Sequence, residues 1–214
     1  MRLLVVLVLC SIGLAEAQMP YYMQPEFRNA NSNWIYGRIV FPGSEDSAQH
    51  INFNTTPPTV SRKFFWVPKA RPGTRQATVT VSDRDNGNLL FYTEGIHVFN
   101  RKQEIMPNGS GLLGDDYLID GVHYRLGMHQ GFCAVPDFTD RDRYYLFNLT
   151  HAGTNTIPAR SKLYYNIVDM TLDGGYGDVY KNIPLDTFQQ TMFGEAIAAI
   201  PGANCDVWVL LYDR

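Results

Sequence analysis

The chain has 214 residues, a formal net charge of −3 and only 18% charged residues, with no basic stripe. That length suffices for one or two domains with a sizeable core, and that charge pattern gives no footing for a nucleic-acid partner. Aromatics reach 13%, alongside 18 Gly and 12 Pro, a composition that favours a turn-rich β-protein over a helical one.

Residues 1–17 have the order of an export signal. Arg2 comes first, then an apolar run from Leu3 that fades by Leu14, then Ala15-Glu16-Ala17 as a small-x-small cleavage site before Gln18. The run is shorter than the ~20 apolar residues a membrane span needs. Leu9 stands where a small residue would precede a lipidated Cys10, so a lipoprotein is disfavoured. Export with signal removal is expected, leaving a secreted or cell-surface chain with no transmembrane span. Cys133 and Cys205 then remain. They form a disulfide in an oxidising compartment or sit apart as small buried residues.

Residues 18–75 are expected as an N-terminal segment opened by the strand "NSNWIYGRIVF". Beyond it, "RQATVTVSD" alternates, with Ala77, Val79 and Val81 facing one way and Thr78, Thr80 and Ser82 the other. "NLLFYTEG" follows as a second strand. Asn86-Gly87 between them predicts a tight hairpin with φ > 0 at both positions. "YYLFNLT", "KLYYNIVDM" and "CDVWVLLYD" read as further strands, and "LDGGYGD" as a turn. "DTFQQTMFGEAIAAI" competes for a helix capped by Asp186 or Thr187, against the interruption at Gly194.

A repeat runs through residues 76–214. "TVSD" leads into "LLFYT", "AVPD" into "YYLFN", and "AAIPG" into "DVWVLLY". Strand, loop and aromatic strand recur at an interval somewhat longer than the roughly 40–50 residues of a propeller blade. The expected fold is therefore all-β, a partial β-propeller of WD40- or kelch-like four-stranded blades, about two and a half in number.

Three segments carry a family resemblance: "SDRDNGNLLFYTEGIHVFNRKQEIMPNGSGLLG", "LYYNIVDMTLDGGYGDVYKNIPL" and "NSNWIYGRIVF". The chain resembles the N-terminal region of type IX-secreted, gliding-motility-associated surface proteins, with Glu94 where that family usually has Asp. The resemblance implies a propeller-like domain often followed by immunoglobulin-like modules and a C-terminal sorting domain. This chain stops at Arg214 without one, which implies a truncated arc needing further domains or self-association, and a periplasmic location if the sorting domain is truly absent.

Chemistry-bearing motifs are sparse. Asp83, Asp85, Asn86 and Asn88 offer alternating oxygens to a hard cation such as Ca²⁺, but lack the distant bidentate Glu of a calcium loop. The stretch also resembles the structural aspartate box of sialidase propellers, and it serves equally as a solvated turn. "GSGLLG", Gly109 to Gly114, matches a dinucleotide motif without the helix that motif requires. His123 and His129 share a face if one strand carries both, yet zinc needs a third ligand. Asp115-Asp116 and Asp140/Asp142 sit in polar loops. No catalytic constellation stands out. The expected function is a non-catalytic module for adhesion to protein or glycan. The alternatives are a polysaccharide hydrolase with paired carboxylates and a non-functional fragment.

Overall fold

The computed structural model describes residues 25–38, 46–65, 79–113, 115–119, 122–126, 130–152, 160–185, 193–201 and 207–213. The segment 1–17 expected as an export signal, with Cys10, lies outside these residues, as do Ala77, Thr78, Gly114, His129, Asp186, Thr187 and Cys205.

After a short helix α1 (Pro25–Ala30), opened by a proline whose fixed φ suits a first helical turn, every longer element is a strand. A first antiparallel sheet holds β1 (Asn33–Arg38), β2 (Asp46–Asn52) and β3 (Thr59–Phe65) in that order. A second is a four-stranded meander of β4 (Val79–Ser82), β5 (Leu89–Thr93), β6 (His97–Asn100) and β7 (Ile105–Ser110). β7 carries Pro107, which an edge strand tolerates because one row of its backbone groups needs no partner.

The third sheet is built around a second meander, β10 (Phe132–Pro136), β11 (Arg143–Ala152), β12 (Arg160–Asp169) and β13 (Asp178–Pro184). β11 and β12 are ten residues each and outrun their neighbours. Their far ends recruit two more hairpins. β8 (Asp115–Ile119) and β9 (Val122–Leu126) join through a parallel pairing of Asp115 with His151. β14 (Phe193–Pro201) and β15 (Val207–Asp213) join through the single pair Ser161–Phe193.

The molecule is all-β, as expected, and among the described residues no sheet closes on itself. The segment that competed for a helix is strand from Phe193 onward. Pairing with β15 overrides the helical leaning of its alanines. The three copies of the repeat are three antiparallel hairpins, β4–β5, β10–β11 and β14–β15. The first two each open a four-stranded meander.

The two meanders face each other across the main core. Val81, Phe91, Val98 and Met106 meet Leu146, Tyr144 and Val168, with Phe91 edge-on to Tyr144 at 5.4 Å. The predicted alternation of β4 holds over its described part: Val79 and Val81 enter this core, while Thr80 and Ser82 turn toward β1. There Ile35 packs on the stacked rings of Tyr92 and Phe99. A third cluster, including Cys133, Leu149, Leu163, Phe193 and Ile197, anchors the β14–β15 hairpin.

Candidate functional site

The loop Asp83–Asn88 is a hairpin turn, closed by Asp83 N–H to Asn88 O (2.8 Å) and Gly87 N–H to Asp83 O (2.8 Å). The expectation of φ > 0 at both central positions needs correction. Gly87 is left-handed (φ 72°) but Asn86 is not, because six residues share the reversal instead of two. The oxygens proposed for a cation are turned onto the loop itself. Asp83 Oδ1 accepts the amides of Asp85 (2.7 Å) and Asn86 (3.3 Å), and its Oδ2 accepts Asn86 Nδ2 (3.1 Å). Asn86 Oδ1 accepts the Asn88 amide, and Asp85 pairs with Arg141 at 2.6 Å. A cation here would have to displace these donors, and no three His, Cys, Asp or Glu among the described residues are placed to hold a metal.

Asparagines from α1, β1 and the β2–β3 connection hold this loop from outside. Asn29 Nδ2 donates to the carbonyls of Arg84 (2.9 Å) and Asp85 (2.8 Å). Asn33 Nδ2 donates to Gly87 O (2.7 Å) and Ser82 Oγ (2.9 Å), while its Oδ1 accepts from buried His50 (2.7 Å). Asn54 Nδ2 also reaches Gly87 O, at 2.8 Å. The approach is so close that a Cβ on Gly87 would lie 2.5 Å from Asn54 Oδ1 and 2.7 Å from Ser32 Oγ.

The repeat's aspartate has one job. Asp137, the counterpart of Asp83, caps the β10–β11 turn by accepting Thr139 N–H and Oγ1–H, and Asp169 does the same with Thr171 after β12. The Thr139 and Thr171 hydroxyl bonds are the chief cause that holds each carboxyl below its ordinary pKa. Asp140 Oδ1 accepts the Asp142 amide and Arg143 bridges Asp140 and Asp169, so these acids stabilise turns. Asp115 and Asp116 pair along β8 with β9, where His123 also lies. Of the glycine-rich segment, Gly109 lies in β7 and Gly111 just beyond its end, and the next described element is strand β8 and not a helix. An asparagine relay ties that segment to the second meander. Asn166 Nδ2 donates to Asn148 Oδ1, Asn166 Oδ1 accepts Asn182 N–H, and Asn182 Oδ1 accepts Leu113 N–H.

Two features escaped the sequence reading. Glu94 binds the Nδ1 and backbone N–H of His97, and Ser110 lies across from His97 in register, but no side-chain hydrogen bond joins His97 to Ser110. The acid, base and hydroxyl are therefore not assembled. Cys133 is a buried free thiol, its pKa pushed up to about 12 by burial.

The second missed feature is an exposed aromatic corner on the outer face of the first sheet. Trp34 (55% exposed) meets Phe53 (44% exposed), ring centroids 5.2 Å apart at 68°. Cross-strand pairing of Trp34 with Ile51 and of Ile51 with Val60 extends it into an apolar row. Exposed Asn54, Thr55 and Asn86 lie close by in sequence or by hydrogen bond. A smaller exposed strip, Ile200, Trp208 and Leu210, runs along β14–β15. Compared with known proteins, the chain matches no family model, no curated protein and no solved structure.

Proposed function

We propose that the chain is an exported, non-catalytic recognition module that holds a soluble glycan chain against the Trp34–Phe53 corner. The observation carrying this reading is that two large rings, in contact with each other, both stand open to water. Exposed apolar patches rimmed by polar groups mark binding surfaces. A pyranose has a C–H face that stacks on an aromatic ring and a rim of hydroxyls that suits amides. Rings set at 68° cannot both lie flat on a crystalline polysaccharide surface, so the corner suits a single, curving chain.

Export is supported by the order of residues 1–17, and placement on a cell surface by the family resemblance of the three segments. The blade reading is supported by two facing four-stranded meanders, each opened by an Asp-capped hairpin. A polysaccharide hydrolase is the weaker reading. It needs a carboxyl whose pKa is raised so that it can donate a proton, whereas Asp137 and Asp169 are shifted downward.

Affinity electrophoresis through gels holding xylan, laminarin or mixed-linkage β-glucan tests the proposal. At least one polymer retards the protein, and Trp34→Ala or Phe53→Ala abolishes the retardation without altering the melt. Free migration through every gel, or variants retarded like the parent, would overturn it.

A further inference from the structure

A cavity of about 200 Å³ opens where the β4 hairpin, β10 and the β14–β15 hairpin meet. Its walls are largely aliphatic, including Val79, Val81, Ala134, Pro136, Ala199 and Val207. Arg84 is the one charged residue on its lining among the described residues, and Tyr144 stands beside it. Arg84 Nη2 is buried with no hydrogen-bond partner. The neighbouring acids are committed elsewhere: Asp83 to its own turn amides and Asp85 to Arg141. No carboxylate pairs with Arg84 among the described residues.

A buried guanidinium nitrogen without an acceptor is costly, since it has left water and gained nothing in return. The group best able to satisfy it is a carboxylate, which the planar fork of an arginine binds through two parallel N–H bonds. Binding requires the Arg84 side chain, which lines the cavity, to turn that edge toward the ligand. The Tyr144 phenol, whose pKa burial raises and Arg84 opposes, remains protonated at neutral pH and supplies a further donor. The aliphatic walls then take a short apolar body, and the volume limits that body to a few carbons.

We propose that this cavity binds a small carboxylate with a branched aliphatic body, Arg84 taking the charge. A free short-chain acid and the C-terminal residue of a peptide present the same chemistry. The site is separate from the Trp34–Phe53 corner, so either can fail alone.

Calorimetric titration tests it with 3-methylbutanoate, its neutral amide, and acetyl-Gly-Gly-Val as the acid and as the C-terminal amide. At least one acid binds saturably, at least ten-fold more tightly than its amide. Retention of only the free acid, or only the peptide, identifies the source. Arg84→Gln abolishes binding yet raises the melting temperature of the unliganded protein, because an unsatisfied charge has gone. A merely structural arginine would lower it. Ala199→Leu, which fills the cavity without touching Arg84, also abolishes binding, while Trp34→Ala leaves it unchanged. Equal binding of acid and amide, no saturable binding, or unaltered binding by Arg84→Gln would each overturn the proposal.

Discussion

The β4–β5 and β14–β15 hairpins come from copies of one repeat, yet they are held in different ways. The first is gripped at its tip by Asn29 of α1, Asn33 of β1 and Asn54 of the β2–β3 connection, carboxamides from outside its own sheet. The second has no such grip among the described residues. It meets its sheet at the single pair Ser161–Phe193, slips register between Phe193 and Ile197, and leaves Trp208 62% exposed. Apolar contact is non-directional and stabilises many registers, whereas hydrogen bonds to backbone carbonyls stabilise one. The first hairpin is locked in place at its tip, whereas the second rests mainly on Leu149, Leu163 and their neighbours, with a backbone bond from Ile197 N–H to Gln130 O (3.0 Å) beside the Ser161–Phe193 pair.

The largest test of that difference is Gly87→Val. It combines a branched residue at φ 72° with a Cβ driven into Asn54 and Ser32, and costs about 3 kcal/mol in chemical denaturation. A cost under about 1 kcal/mol would mean the grip is loose. Asn33→Ala follows, at about 2 kcal/mol, because Gly87 O, Ser82 Oγ and His50 lose a shared buried partner. Native-state hydrogen exchange on this variant shows the β4–β5 amides opening with β14–β15 rather than well after it.

The β10–β11 hairpin sharpens the comparison, since it keeps the aspartate cap. The folded pKa of Asp137 is depressed, so its contribution is complete above the ordinary carboxyl value of 3.8 and lost as pH falls through the lower folded one. Asp137→Asn flattens that acid limb of the stability profile and costs less than Asn33→Ala. An unchanged limb would assign it to other carboxyls. Trp208→Ser stays within about 0.5 kcal/mol, as a surface change should. A larger loss would show that the outer face of β14–β15 is covered in solution.

Much of the fold was legible because its signals were local. The alternation of β4, the aromatic runs of β5, β11, β12 and β15, and the Asn86-Gly87 reversal each sit within a few residues. β2 "DSAQHIN" and β3 "TVSRKFF" lack a legible apolar period because burial and apolarity do not coincide there: His50 of β2 is buried on Asn33, while Val60 of β3 is exposed. The asparagines of "NANSNW" and "FNTT" have the composition of turns, and their role depends on a loop some 30 to 55 residues away. The Trp34–Phe53 corner was hidden for the opposite reason. Aromatic residues in a strand are expected inside, and sequence alone does not say which face the sheet leaves bare.

Cys133 also gives the molecule a chemical clock. A buried thiol with its pKa near 12 has almost no thiolate at neutral pH, and the thiolate is the species that reacts. Alkylation at that position therefore waits for β10 to open. At high reagent concentration the appearance of the Cys133 adduct, followed by mass spectrometry, measures the opening rate; at low concentration it measures the opening equilibrium. The same residue thus records how long the second meander stays shut, with no residue substituted.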